Sequence, residues 1–177
     1  MMHTPILETK RLLLRPFELK DIEEVFYGWE SDPEVAKYMF WKSHNDLNKS
    51  KEWVQKEIDR ANDPMWYRFA IVKKQTEELI GTGLIYFEDE VDGWEIAYNL
   101  SRKYWNEGFT TEAMKEILRF AKHDLEIKEV IARYATENQQ SGSVLAKLGF
   151  NYEKEITLEC NKGETFYKGK QCRRRFV

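Results

Sequence analysis

The chain is short of several residue types, and each shortage narrows what it can be. Only two of its 177 residues are cysteine, Cys160 and Cys172, and its three histidines, His3, His44 and His123, are scattered. No metal-ligand spacing results, so no metal is expected and a disulfide framework is not expected either. Neither cysteine has a histidine placed by sequence to activate it, which disfavours a covalent acyl-cysteine route. No stretch approaches the ~20 apolar residues needed to span a bilayer. Residues Met1 to Lys10 lack the apolar core of a secretory leader. A cytoplasmic, reduced protein without a membrane partner is the expectation. Positive charge is also lacking: 28 Lys and Arg against 31 Asp and Glu leave a net charge of −3, without the basic footprint of a nucleic-acid binder. The one strongly basic stretch, Lys168, Lys170, Arg173, Arg174 and Arg175, reads as a solvated edge strand or a frayed terminus.

What is present is a folded domain's composition. Hydrophobic residues make up 42 % and aromatics 14 %, more than a disordered chain carries. The length suits one domain over 1–177 with a proper core. Trp94 to Leu100 alternates Trp94, Ile96, Tyr98 and Leu100 against Glu95, Ala97 and Asn99, the period of a half-buried strand. After it come Trp105, Asn106, Glu107, Gly108, Phe109, Thr110 and Thr111. Then Ala113, Met114, Ile117, Leu118, Ala121 and Leu125 recur at helical spacing. A strand that hands over to a helix through a glycine leaves several N–H groups pointing one way, which suits a phosphate. Thr110 or Thr111 is placed to cap the helix.

A second strand follows at 129–136, with Val130, Ala132 and Tyr134 alternating against Ile131, Arg133 and Ala135. It leads into Asn138, Ser141 and a short helix stopped at Gly149. Strand, helix, strand with this spacing predicts a parallel βαβ unit whose strand ends open toward one edge, where ligands bind. Around it, the patterns predict a short strand at 11–15 and helices at 19–29, at Asp32-Pro33 and at 46–61. Hairpins are predicted at 67–87 and 150–170. The fold class is therefore α/β (α+β): a mixed, mostly antiparallel central sheet with one parallel cofactor-binding βαβ unit and helices on both faces.

The residues Ile96-Ala97-Tyr98-Asn99-Leu100, then Tyr104-Trp105-Asn106-Glu107-Gly108-Phe109-Thr110-Thr111-Glu112-Ala113, then Asn138-x-x-Ser141 and Lys147-Leu148-Gly149-Phe150 resemble the GNAT superfamily of N-acetyltransferases. Within it they resemble the RimJ/RimL-like branch, as does Thr9-Lys10-Arg11-Leu12-x-Leu14-Arg15-Pro16. The family's pyrophosphate signature departs here in Trp105 at its first position and Thr110 at its last. The resemblance implies acetyl-CoA as co-substrate, with Asn99 and Leu100 holding the pantetheine arm by their backbone. It implies that Trp105, Asn106, Glu107, Gly108, Phe109, Thr110 and Thr111 surround the pyrophosphate, and that Asn138 and Ser141 lie against the arm.

It further implies direct acetyl transfer to a primary amine in a ternary complex. A base must take a proton from an ordinary alkylamine of pKa about 10.4, and Glu95, beside the small Ala97, is the candidate; an exposed surface glutamate is the competing reading. Many relatives carry a tyrosine four residues after the Ser141 position as acid for the thiolate. Leu145 stands there, so Ser141 is the remaining donor, unless it is simply a helix cap. The acidic run Glu88, Asp89, Glu90 and Asp92 either attracts a cationic amine or forms a hairpin tip. Tyr38, Met39, Phe40 and Trp41 either wall the acceptor or pack helices. The acceptor is a protein N-terminus or a small, polyamine-like amine; a non-catalytic acyl-CoA-binding domain is the other reading. A homodimer is the remaining partner expectation, and nucleic acid is not one.

Overall fold

Alternating strands and amphipathic helices close into one eight-stranded sheet in the computed structural model, which describes residues 3–177. The strands are β1 (Leu7–Glu8), β2 (Leu12–Arg15), β3 (Trp66–Lys73), β4 (Leu79–Glu88), β5 (Gly93–Leu100), β6 (Glu129–Ala135), β7 (Asn151–Cys160) and β8 (Thr165–Arg175). The helices are α1 (Ile22–Val25), α2 (Pro33–Ala36), α3 (Leu47–Asp59), α4 (Phe109–His123) and α5 (Gln139–Lys147). The order across the sheet is β1-β2-β3-β4-β5-β6-β8-β7, and every pairing is antiparallel except β5 with β6. The expected mixed sheet and parallel unit are both present.

The strand period sorts the side chains into two cores. Tyr67, Phe69 and Ile71 of β3 turn to α4, where Phe120 meets both aromatic rings edge-on and Met114 and Ile117 fill the space below. Ala70 and Val72 turn the other way, against Val25, Trp29 and Val54 of the N-terminal helices. On β5 the same alternation sends Ile96 and Leu100 to the α4 side and Glu95, Ala97 and Asn99 to the opposite face.

Three local expectations change. The helix expected over 19–29 is a 3₁₀ turn at Leu19–Asp21, then α1, then a π-turn at Phe26–Glu30. The amide and hydroxyl of Ser31 both bond to the Phe26 carbonyl, five residues back, and widen the last turn. Gly108, not Thr110 or Thr111, caps α4. The basic C-terminal stretch is neither an edge nor frayed: β8 lies between β6 and β7, with Arg173 paired to Glu129 and Glu153 and Arg175 to Glu129. The edge strand at this end of the sheet is β7, whose first half is solvent-exposed.

Gly81 is where β4 comes closest to the end of β5. A Cβ there would lie 2.3 Å from the Asn99 carbonyl oxygen and 2.9 Å from the Leu100 Cα, and backbone atoms cannot rotate away. Gly81→Ala is expected to destabilise the protein by about 3 kcal/mol in urea unfolding. Gly93→Ala, whose nearest neighbour would be 3.7 Å away, should change stability by less than about 0.5 kcal/mol.

Candidate active site at the fork between two parallel strands

The parallel strands β5 and β6 pair at only two positions, Trp94 with Val130 and Glu95 with Ile131. Beyond them β6 stays with β8 as far as Ala135, while β5 stays with β4 as far as Leu100. The strands part as a fork, and the β5 edge at Ala97–Leu100 has no strand partner on that side. Of Asn99 and Leu100, expected to hold an extended arm by their backbone, Leu100 is at this edge, while the Asn99 carbonyl is turned to Gly81 of β4. The Leu100 carbonyl is taken by the indole N–H of Trp105 at 2.9 Å, which ties the following turn to the strand end.

That turn is built to leave amides free. Asn106 (φ 64°) and Gly108 (φ 78°) both take left-handed backbone, tolerated by asparagine and free for glycine. Gly108 caps α4 without any side-chain bond. Among the described residues, the N–H groups of Asn106, Glu107, Gly108, Phe109, Thr110 and Thr111 have no acceptor, whereas that of Trp105 bonds to the Arg102 carbonyl. The amide cradle therefore begins at Asn106, and Trp105 serves it by packing and by its indole. At the N-terminus of a four-turn helix, six unpartnered amides fit the diphosphate of coenzyme A.

The cradle is held from two sides. Arg11 donates through Nη1 to the Glu107 carbonyl (3.0 Å) and through Nε to Glu112 (2.7 Å), and its guanidinium lies 4.1 Å from the Phe109 ring centre. Desolvation pushes the Glu112 carboxyl up. Its bonds from the Thr9 hydroxyl, the Arg11 side chain and the Arg11 amide outweigh this and hold it below the usual carboxylate range. On the other side, Gln140 of α5 donates to the Asn106 side chain at 2.7 Å. Asn138 caps α5 by accepting from the Ser141 N–H at 3.2 Å, so Ser141 is not the cap and its hydroxyl is available for other work. That hydroxyl pairs with the Tyr98 hydroxyl at 2.8 Å; burial raises the Tyr98 pKa and keeps it protonated.

On the opposite face of the fork, Glu95 is 1 % exposed. Both its oxygens are engaged by Arg133, at 2.7 and 2.8 Å, and one also accepts from the Tyr86 hydroxyl at 2.7 Å. It is neither an exposed glutamate nor an open base. Arg133 comes from β6 just past the last paired residue, so this bidentate bond bridges the two strands where they part. The acidic loop touches the site through Glu90, 3.6 Å from Arg133.

Phe40 sits over the Arg133 guanidinium at 5.6 Å. The segment around it crosses to the turn between β7 and β8, where the amides of Asn161 and Lys162 donate to the carbonyls of Met39 and Phe40 and the Asn161 side chain donates to those of Ala36 and Trp41. Of the run 38–41, Phe40 thus stands beside the fork, whereas Trp41 packs into the N-terminal core and Tyr38 against Tyr167 and the end of β7. Cys160 and Cys172 are buried and unbridged. Desolvation pushes their thiols up to about 11 and about 12, which leaves no thiolate to act as a nucleophile.

Arg11, Tyr86, Tyr98, Arg133 and Gln140 were not among the expected site residues. An arginine at 133 in an otherwise apolar strand was the one visible signal of a buried carboxylate opposite it.

Comparison with known proteins agrees with this geometry. Residues 11–151 match the family model described as an acetyltransferase (GNAT) domain. An uncharacterized N-acetyltransferase, p20, from Bacillus licheniformis is 34 % identical over 148 residues, covering 83 % of each chain. The crystal structure of a GNAT-family acetyltransferase from Bacillus anthracis superposes with a TM-score of 0.83 at 24 % identity, covering 97 % of this chain and 98 % of that one. The structure of RimL, a ribosomal L7/L12 alpha-N-protein acetyltransferase, in complex with coenzyme A superposes at 0.85 with 15 % identity, covering 97 % and 98 %. These superpositions speak to the fold.

Glu112→Gln is expected to cost about 2 kcal/mol at pH 7. Because the folded-state pKa of Glu112 is depressed, wild type should lose this advantage as pH falls below about 4, and the two urea curves should converge there. Glu95→Gln breaks a buried pair and should destabilise by about 3 kcal/mol, measured the same way at pH 7.

Proposed function

The chain belongs to the GNAT acetyltransferase family, and on that premise we propose that it transfers the acetyl group of acetyl-CoA directly to the α-amine of a peptide or protein N-terminus. The observation that carries this reading is the closed state of Glu95, both of whose oxygens are engaged by Arg133 and Tyr86. A site without an open carboxylate suits an amine that is already partly neutral. An α-amine of pKa about 8 is roughly one quarter neutral at pH 7.5, whereas an alkylamine of pKa about 10.4 is neutral to roughly one part in a thousand. Water then suffices to accept the proton.

A polycationic small amine has the exposed loop carboxylates for its second charge, and the one that reaches the site, Glu90, already faces Arg133. RimL, which shares this fold, is an alpha-N-protein acetyltransferase, and this supports the same acceptor class.

Acetyl-CoA supplies an acyl group activated as a thioester. The chain's own residues have separate tasks around it. The amides of Asn106 to Thr111 bind the diphosphate, and the open β5 edge ending at Leu100 lines the extended arm, with an N–H near Leu100 available to polarise the carbonyl. Asn138 fixes the first turn of α5, and Ser141, backed by the Tyr98 hydroxyl, is the donor to the departing thiolate. Glu95 is a positioning residue that holds Arg133 and Tyr86.

Initial rates over pH 6.5 to 9.5 test the reading. With an N-terminal peptide, kcat/KM should rise with a midpoint near pH 8 and level above about pH 9, following the acceptor's own ionisation. At pH 7.5 a simple alkylamine should react about two-hundredfold more slowly, the ratio of the neutral fractions. A polyamine outrunning every peptide would overturn it. A loss of more than about a thousandfold in kcat for Glu95→Gln, in protein still folded at the assay temperature, would restore the role of base to that carboxylate.

A further inference from the structure

The side-chain amide of Asn99 is the unexplained group at the fork. Its Nδ2 atom is buried and has no hydrogen-bond partner, and a buried donor left unpaired opposes folding unless something else uses it. Its neighbours define where it points. Asn99 shares its strand face with Glu95 and Ala97, the side away from α4. Directly across on β4 is Thr82, which donates to the Phe69 carbonyl and accepts from Arg68 Nη1 at 3.2 Å, and so does not engage the Asn99 amide. Next to it, Leu84 opposite Ala97 makes an apolar gap with no acceptor atom on its side chains. A donor thus stands at one end of a small apolar floor, and the Glu95–Arg133 pair stands at the other.

We infer that the Asn99 side chain is the specificity-determining contact for the acceptor, donating to the first carbonyl oxygen beside the reacting α-amine. The inference rests on the α-amine reading and adds the residue that enforces it. The backbone of Asn99 is turned to Thr82 and Gly81 of β4, so what this residue offers a substrate is its side chain. An amine without a neighbouring carbonyl leaves the donor unpaired, and discrimination comes from that unpaired group rather than from added attraction.

The test compares a peptide amide with a carbonyl-free, fluorinated alkylamine of matched basicity, using the full chain and acetyl-CoA. Wild type should favour the peptide, and in Asn99→Leu and the near-isosteric Asn99→Asp the ratio of the two kcat/KM values should fall about tenfold, mostly through the peptide KM. Asn99→Leu should also melt at a higher temperature than wild type, because it removes the unpaired donor. An unchanged ratio in both variants, with transfer intact, overturns this inference alone. Calorimetric loss of acetyl-CoA affinity matching the loss of rate, with the ratio intact, assigns Asn99 to the co-substrate and also overturns it. No transfer by wild type to either amine removes the acetyl-transfer reading and this inference with it.

Discussion

Everything at this site follows from β5 and β6 letting go of each other after two residues. A parallel pair that continued would satisfy its own backbone and leave no edge for a ligand. The parting is possible because each strand keeps an antiparallel neighbour on its other side, β4 for β5 and β8 for β6. The split then needs something to keep it from running back into the sheet. The Glu95–Arg133 pair is placed at that point, joining the last paired residue of one strand to the strand that diverges. A buried ion pair is a weak source of net stability but is costly to break from one side. That asymmetry is what a junction of fixed width requires.

The same economy explains the amide cradle. Gly108 provides a helix start without a capping side chain, so the first-turn amides stay open. The strain of a left-handed Asn106 is offset by its bond from Gln140. Arg11 reaches from the strand side of the molecule to hold Glu107 and Glu112. The turn is thus positioned by contacts a hundred residues away in sequence, and a free helix with the same motif would not keep its shape.

Much of this was legible from the chain, and the boundary is physical. Periodicity revealed β5, α4, β6 and both hairpins, because burial on one face imposes a repeat that survives in the sequence. The Gly108 turn and the Asn138 to Ser141 start of α5 were visible as local chemistry. What did not show was anything depending on which distant side chain comes opposite another. Glu95 read as a base because alternation places it on the right face, and alternation says nothing of Arg133 and Tyr86 closing around it. The basic tail read as an edge because charge suggests solvent, while the carboxylates of Glu129 and Glu153 let it lie within the sheet. The run 19–29 had the spacing of one helix, but the Ser31 amide and hydroxyl sharing the Phe26 carbonyl open its last turn, and Asp21 capping Glu18 tightens its first.

The run 38–41 has a consequence for what can reach the fork. It is fastened at both margins, by its own helices on one side and by the Asn161 and Lys162 amides on the other. A strap fixed at two ends keeps the Phe40 ring beside Arg133, so whatever approaches the Glu95–Arg133 pair from that side meets an aromatic surface whose position is set in advance.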